Sequence, residues 1–173
     1  FSLTFHNPIY TPTSIEPISN PSTDQDIWIN DMMDYVGESE WFLFYYEEVG
    51  NYNISQCASH GSDQAFTIFV INSFNDYDGE FTDGYFAYAY LPYSFGSGSV
   101  NSSFTVLTWD VAGWGNESMT YIGSHEMGHI FGSYDEYAAS NCNCNQSYNG
   151  YNNQNCENCN PTVSCIMRQD SNT

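Results

Sequence analysis

The chain has 173 residues, 41% of them hydrophobic, which is enough for one domain with a sizeable core and too little to expect two. Its 21 Asp and Glu face a single basic residue, Arg168, for a formal net charge of −20. Such a field repels phosphate backbones and anionic lipid headgroups, which argues against nucleic acid and bare membrane surfaces as partners and in favour of cations.

Residues 1–9 have strand composition and predict a first or edge strand, followed by a Pro, Thr and Ser loop to Asn20. Asp24 is placed to cap a helix carrying Ile27, Trp28, Met32, Tyr35 and Val36 on one side and ending near Gly37. Ser39 is placed to cap a shorter helix through Glu48, although the apolar and aromatic run 41–46 fits a buried strand as well. Residues 65–71, 85–91 and 104–109 are rich in β-branched and aromatic residues and bounded by Gly, Asp, Asn and Ser, so they predict three strands. A helix follows from Glu117 or Ser118 to Phe131. Beyond Asp135 the chain turns into Asn, Cys, Tyr and Gly without periodicity. This order predicts an α/β or α+β fold in one domain over 1–173, with sheet and helices to 137 and a cysteine-rich irregular part from 138.

Six cysteines, Cys57, Cys142, Cys144, Cys156, Cys159 and Cys165, in an acidic chain without lysine predict an oxidising compartment and up to three disulfides. Cys142 and Cys144 are poor partners for each other; the C-x-C and C-x-x-C spacings would alternatively suit a structural zinc or iron–sulfur site. Sequons at Asn53, Asn101, Asn116 and Asn145 are glycosylation candidates and agree with a secreted or cell-surface address. A start at Phe1 without methionine or an apolar leader fits an exported product stripped of its signal, or a fragment. No run of about 18 apolar residues offers a membrane span.

The chemistry is concentrated in SHEMGHIFGSYDEY, residues 124–137. Positions four apart on a helix share a face, so His125 and His129 reach one ion, while Glu126 lies beside that face, free to take a proton from a water held there. Gly132 stands where a left-handed residue ends the helix and turns the chain back, which brings Asp135 round as a third, oxygen ligand. Glu136 competes for that role, though spacing favours Asp135. Tyr134 and Tyr137 are candidates to hold Asp135 or to donate to an oxyanion.

The pattern H-E-x-x-H-x-x-G-x-x-D resembles the long zinc signature of the metzincin clan of metalloendopeptidases, in the version where aspartate replaces the third histidine. Ser164-Cys165-Ile166-Met167 resembles the clan's Met-turn, with Met167 placed beneath the metal ligands. Residues 84–92 resemble the edge strand that pairs with an extended peptide, which makes Phe86, Ala87, Tyr88 and Ala89 substrate-binding candidates, and D-E-Y is similar to the ending of a motif in secreted bacterial and archaeal zinc peptidases. The resemblance implies a twisted mixed sheet with an antiparallel edge strand, one catalytic Zn2+ on His125, His129 and Asp135, and Glu126 as general base in peptide hydrolysis. It also implies a C-terminal helix, for which only six residues remain after Met167.

Asp76, Asp78, Glu80 and Asp83 form a candidate Ca2+ loop; their spacing does not fit an EF-hand, and a solvated acidic loop accounts for them equally well. The expected partner is a peptide or protein substrate. A competing reading is an extracellular structural or adhesive protein on a peptidase-like domain, whose N-terminal segment pairs with another copy or a cell-surface partner.

Overall fold

A helix needs a stripe of buried side chains, and in the first half of the chain that stripe begins at Trp28. The computed structural model describes residues 4–39, 43–91, 102–145, 147–148, 151–152, 155–160 and 163–168. By its contacts the chain divides into two compact units: Phe1–Thr67 with Glu80–Tyr85 and Pro92–Ser103, and Ile68–Gly79 with Phe86–Leu91 and Phe104–Thr173.

In the first unit, α1 (Gln25–Val36) packs on α2 (Tyr45–His60). Helix α1 buries Trp28, Ile29 and Met33, whereas Ile27 and Tyr35 of the predicted stripe are exposed, so the packed face is turned by about one residue. The carboxylate of Asp24 makes no cap hydrogen bond. Helix α2 starts later than expected and runs on to His60. Its first turn is fixed by Glu47, whose carboxylate accepts the Phe44 N–H at 2.9 Å. Within it Asn53 is 1% exposed, with its side chain accepting from Thr67 Oγ1 at 2.8 Å and donating to the Ser103 carbonyl at 3.4 Å. A glycosyl acceptor needs a free amide, so Asn53 is a core hydrogen-bonding residue and not a glycan site. Residues 4–10 carry no strand. The alternative strand over 41–46 is overturned at Tyr45 and Tyr46, which are helical; residues 41 and 42 lie outside the described residues.

The second unit holds a mixed three-stranded sheet of β1 (Thr67–Ile71), β2 (Ala87–Tyr90) and β3 (Phe104–Thr108), in the order β1-β3-β2. All three strands lie inside the predicted ranges. Strand β3 is buried at every position, as a central strand with both faces covered must be. Strand β2 is antiparallel to it, with Ala87 opposite Leu107 and Tyr90 opposite Phe104, and occupies a sheet edge. Phe104 fixes this arrangement through an edge contact with Phe69 at 5.4 Å and a stack on Tyr90 at 4.8 Å.

Helix α3 (Met119–Ile130) lies against β2 and β3, with Ile122 joining Leu107 and Val111 in one apolar cluster. The turn between β3 and α3 is unusual. Val111 and Ala112 adopt left-handed φ angles of 45° and 57°, a conformation that costs roughly 1–2 kcal/mol per L-residue. Full burial of Val111 returns about 1.5–3 kcal/mol, which offsets much of the roughly 2–4 kcal/mol that the two residues cost together.

The C-terminal part is less irregular than expected. It contains an antiparallel pair, β4 (Ser147–Tyr148) and β5 (Tyr151–Asn152), and two interlaced disulfides, Cys142–Cys156 and Cys144–Cys159. The bridges close loops of 14 and 15 residues, each limiting the unfolded chain by about 3 kcal/mol in the chain-entropy picture. They displace the structural zinc reading of those cysteines. Cys57 and Cys165 are free thiols, so two bridges form and not three. Among the described residues no helix is long and apolar enough to cross a membrane.

Candidate functional site

The site grows from the end of α3. His125 and His129 sit one turn apart with ring centroids 5.0 Å apart and planes at 86°. The helix then stops at Gly132, whose φ of 84° is left-handed; its N–H bonds to the His129 carbonyl at 2.8 Å, and the Ser133 N–H to the Gly128 carbonyl at 2.9 Å. This pair of bonds is a Schellman closure, and it throws the chain back over the histidines. Asp135 returns with it: Oδ1 lies 2.9 Å from His125 Nε2 and 3.2 Å from His129 Nε2.

The outer nitrogens decide what these three groups want. His125 Nδ1 faces the Ile166 carbonyl at 2.9 Å, and His129 Nδ1 faces the Ser133 carbonyl at 2.8 Å. A carbonyl only accepts, so each Nδ1 carries the hydrogen, and each neutral ring then aims an Nε2 lone pair at Asp135. Three acceptor atoms converge with no hydrogen among them. Such a set calls for a cation, supplied either by protons or by a metal ion.

The electrostatics follow. For both histidines burial opposes charge, but the hydrogen bond to Asp135 and those to the backbone carbonyls outweigh it and raise the pKa above the usual value. Burial likewise pushes against an ionised Asp135, yet the two imidazoles hold it well below the ordinary carboxylate range. Glu126, 8% exposed, is shifted the other way: burial raises its pKa, tempered by the neighbouring histidines and by a hydrogen bond from the Ala89 backbone. Tyr137 is pushed up to about 12 by burial and the charge of Asp135, to which its hydroxyl donates, with its ring centroid 6.3 Å from that of His125.

Met167 is buried under the helix, and a side chain at Gly128 would bring its Cβ to 2.6 Å from Met167 Sδ. The glycine between the two histidines is therefore a packing requirement. Glu136, the rival third ligand, points its carboxylate elsewhere, accepting from Asn155 Nδ2 at 2.6 Å.

Among the described residues, His125, His129 and Asp135 are the group whose ligand atoms all lie within 4.8 Å of one another. No family model, curated protein or solved structure matches this chain.

The acidic quartet forms no such group. Asp76 Oδ1 accepts the N–H groups of Asp78 and Gly79, and Asp83 accepts both the N–H and the hydroxyl of Ser22. Asp76 and Asp78 belong to the second unit, Glu80 and Asp83 to the first. Of the edge-strand candidates, Ala87, Tyr88 and Ala89 lie in β2, and Phe86 precedes it with its carbonyl accepting from Thr108 at 2.8 Å. Asn116 and Asn145 are exposed, and Asn101 lies outside the described residues. Sequence reasoning missed the carbonyl partners of the rings, because every residue has a carbonyl and only the fold selects one.

Proposed function

We propose that the chain is an exported zinc endopeptidase of metzincin type. The observation that carries this reading is the convergence of two imidazole nitrogens and a carboxylate oxygen beside a buried glutamate. Two nitrogens and one oxygen suit zinc better than calcium or magnesium, which prefer all-oxygen cages, and a trio of protein ligands is the usual set of a catalytic site with a position left open. A zinc ion held there supplies Lewis acidity, lowering the pKa of a water and polarising a carbonyl. Glu126, kept basic by burial, takes the proton from the attacking water and delivers it to the leaving amine. Its hydrogen bond from Ala89 ties that carboxylate to β2, so a peptide adding to the β2 edge arrives within reach of the base. Tyr137 orients Asp135 through its hydroxyl. The two disulfides suit an oxidising compartment outside the cell.

The test joins composition to activity. Purified protein is expected to carry about one zinc per chain and to cleave casein, and Glu126→Gln to keep the metal and lose the cleavage. Equal hydrolysis by the two forms removes the catalytic proposal.

A further inference from the structure

The Asp135-Glu136-Tyr137 segment spends its three side chains in different ways, and the middle one has no part in the chemistry above. The Glu136 N–H donates to the Met167 carbonyl at 2.8 Å, while the neighbouring Ile166 carbonyl accepts from His125 Nδ1. A closed circuit results: His125 to Asp135, along one peptide bond to Glu136, across to Met167, along another to Ile166, and back to His125. Two of the three proposed ligands belong to one ring, closed by two hydrogen bonds and by the cation that joins His125 Nε2 to Asp135 Oδ1.

That ring is fastened from outside. The Glu136 carbonyl accepts the Glu157 N–H at 2.7 Å, and the Glu157 carboxylate accepts the Ala138 N–H at 2.7 Å. Asn155 donates to the Glu136 carboxylate at 2.6 Å and accepts the Val163 N–H at 2.7 Å, so a single side chain links the ring at Glu136 to the stretch of chain that leads into Ile166. The Cys165 thiol also bonds to Glu136. Asn155 and Glu157 are in turn bracketed by Cys142–Cys156 and Cys144–Cys159.

We propose that Glu136 is a positioning residue for the metal centre, and that the disulfide-tied segment 142–159 acts through Glu136 and Asn155 to set how tightly the centre holds its ion. The inference rests on the zinc reading of His125, His129 and Asp135. Partners outside the ligand set typically change metal affinity 10–100-fold.

Zinc dissociation constants from competition with a chromophoric chelator test it, in a Glu126→Gln background that prevents self-cleavage. Glu136→Ala and the isosteric Asn155→Asp, which removes the donor to Glu136 but keeps the acceptor for Val163, are expected to weaken zinc about 10–100-fold. Glu136→Gln, which retains an acceptor oxygen, is expected to restore most of that affinity, a rescue that a general loss of folding would not show. A Cys144→Ser/Cys159→Ser variant is expected to lose at least about tenfold. Stoichiometric zinc in the parent with unchanged affinity in Asn155→Asp overturns the role of Glu136, even where Glu136→Ala does not fold. Unchanged affinity in the cysteine variant overturns the role of the bridges. A parent chain that takes up no zinc overturns the metal reading itself.

Discussion

Gly128→Ala sets two effects of known size against each other. In a helix interior alanine is better than glycine by about 1 kcal/mol, so the change alone would stabilise α3. Against this, the new Cβ would stand 2.6 Å from Met167 Sδ, 3.5 Å from its Cε and 3.8 Å from Ser133 Cβ. Met167 is 3% exposed and has no solvent to move into, and overpacking of a closed core costs roughly 1–3 kcal/mol. The clash wins, leaving a net loss of about 1 kcal/mol. Gly123 is the internal control: its Cβ would meet only Leu107 Cδ1, at 3.3 Å and the end of a flexible side chain, so Gly123→Ala is expected to be neutral or stabilising. Urea unfolding with a chelator present, in the Glu126→Gln background, reads the difference. With a slope of about 2 kcal/mol/M, the Gly128→Ala midpoint falls by about 0.5 M while that of Gly123→Ala holds or rises. Zinc affinity falls as well, because a displaced Met167 takes the Ile166 carbonyl away from His125. A Gly128→Ala protein as stable as Gly123→Ala would refute the packing argument and with it the placement of Met167.

Stability and metal binding should respond to pH in opposite senses. In the metal-free protein the raised histidine values stabilise the fold below about pH 6.5 and lose that effect as pH climbs through the folded values; the lowered Asp135 stabilises above about pH 3.8 and loses it as pH falls further. Zinc displaces the protons, so the rise in Tm on adding zinc should grow from pH 5 to pH 8; a rise that is largest at pH 5 contradicts the shared use of the imidazoles. An anionic ligand makes a zinc-held water less acidic, and casein hydrolysis should peak at or above neutral pH, with an optimum near pH 5 counting against it. Asp135→Asn should weaken zinc beyond the ~10–100-fold typical of an outer partner, with His125 and His129 titrating lower in the metal-free form by NMR; unchanged histidine shifts would mean that the carboxylate is not in contact. Ala112→Gly relieves a left-handed alanine and should raise the urea midpoint by the equivalent of up to about 1 kcal/mol; a drop would mean that the turn is unstrained.

Patterning was legible where burial is continuous or a motif demands a helix, and less so in α1, whose stripe is turned so that Ile27 and Tyr35 are exposed. Strand β3 is a continuous buried run bounded by polar residues, and α3 contains a motif whose spacing matters only on a helix. Gly132 took the left-handed conformation its position demanded. Helix α2 extends further than expected, and its second half was not legible because Asn51 to His60 is polar and has almost no apolar stripe; beside Val49 its buried face uses Glu48, Gly50 and Asn53, residues that sequence patterns assign to the surface. The Asn53 sequon misled for the same reason. The small β4–β5 pair had a signal that was passed over, an Asn-Gly dipeptide between two tyrosines, a common hairpin spacing. What no pattern could supply was the pairing of His125 with Ile166, 41 positions away, or the choice among disulfide partners.

That distance along the chain has a temporal meaning. A ribosome releases α3 well before it releases Ile166, and until then His125 lacks the acceptor that fixes its tautomer. Asp135 likewise lacks the anchor that the Met167 carbonyl gives its neighbour. His129 finds its own acceptor at Ser133, four residues on, whereas the ring of His125 stays unclamped until residue 166 has been made. The two rings are thus locked at different times, His129 by the end of its own helix and His125 only by a carbonyl from beyond the disulfides.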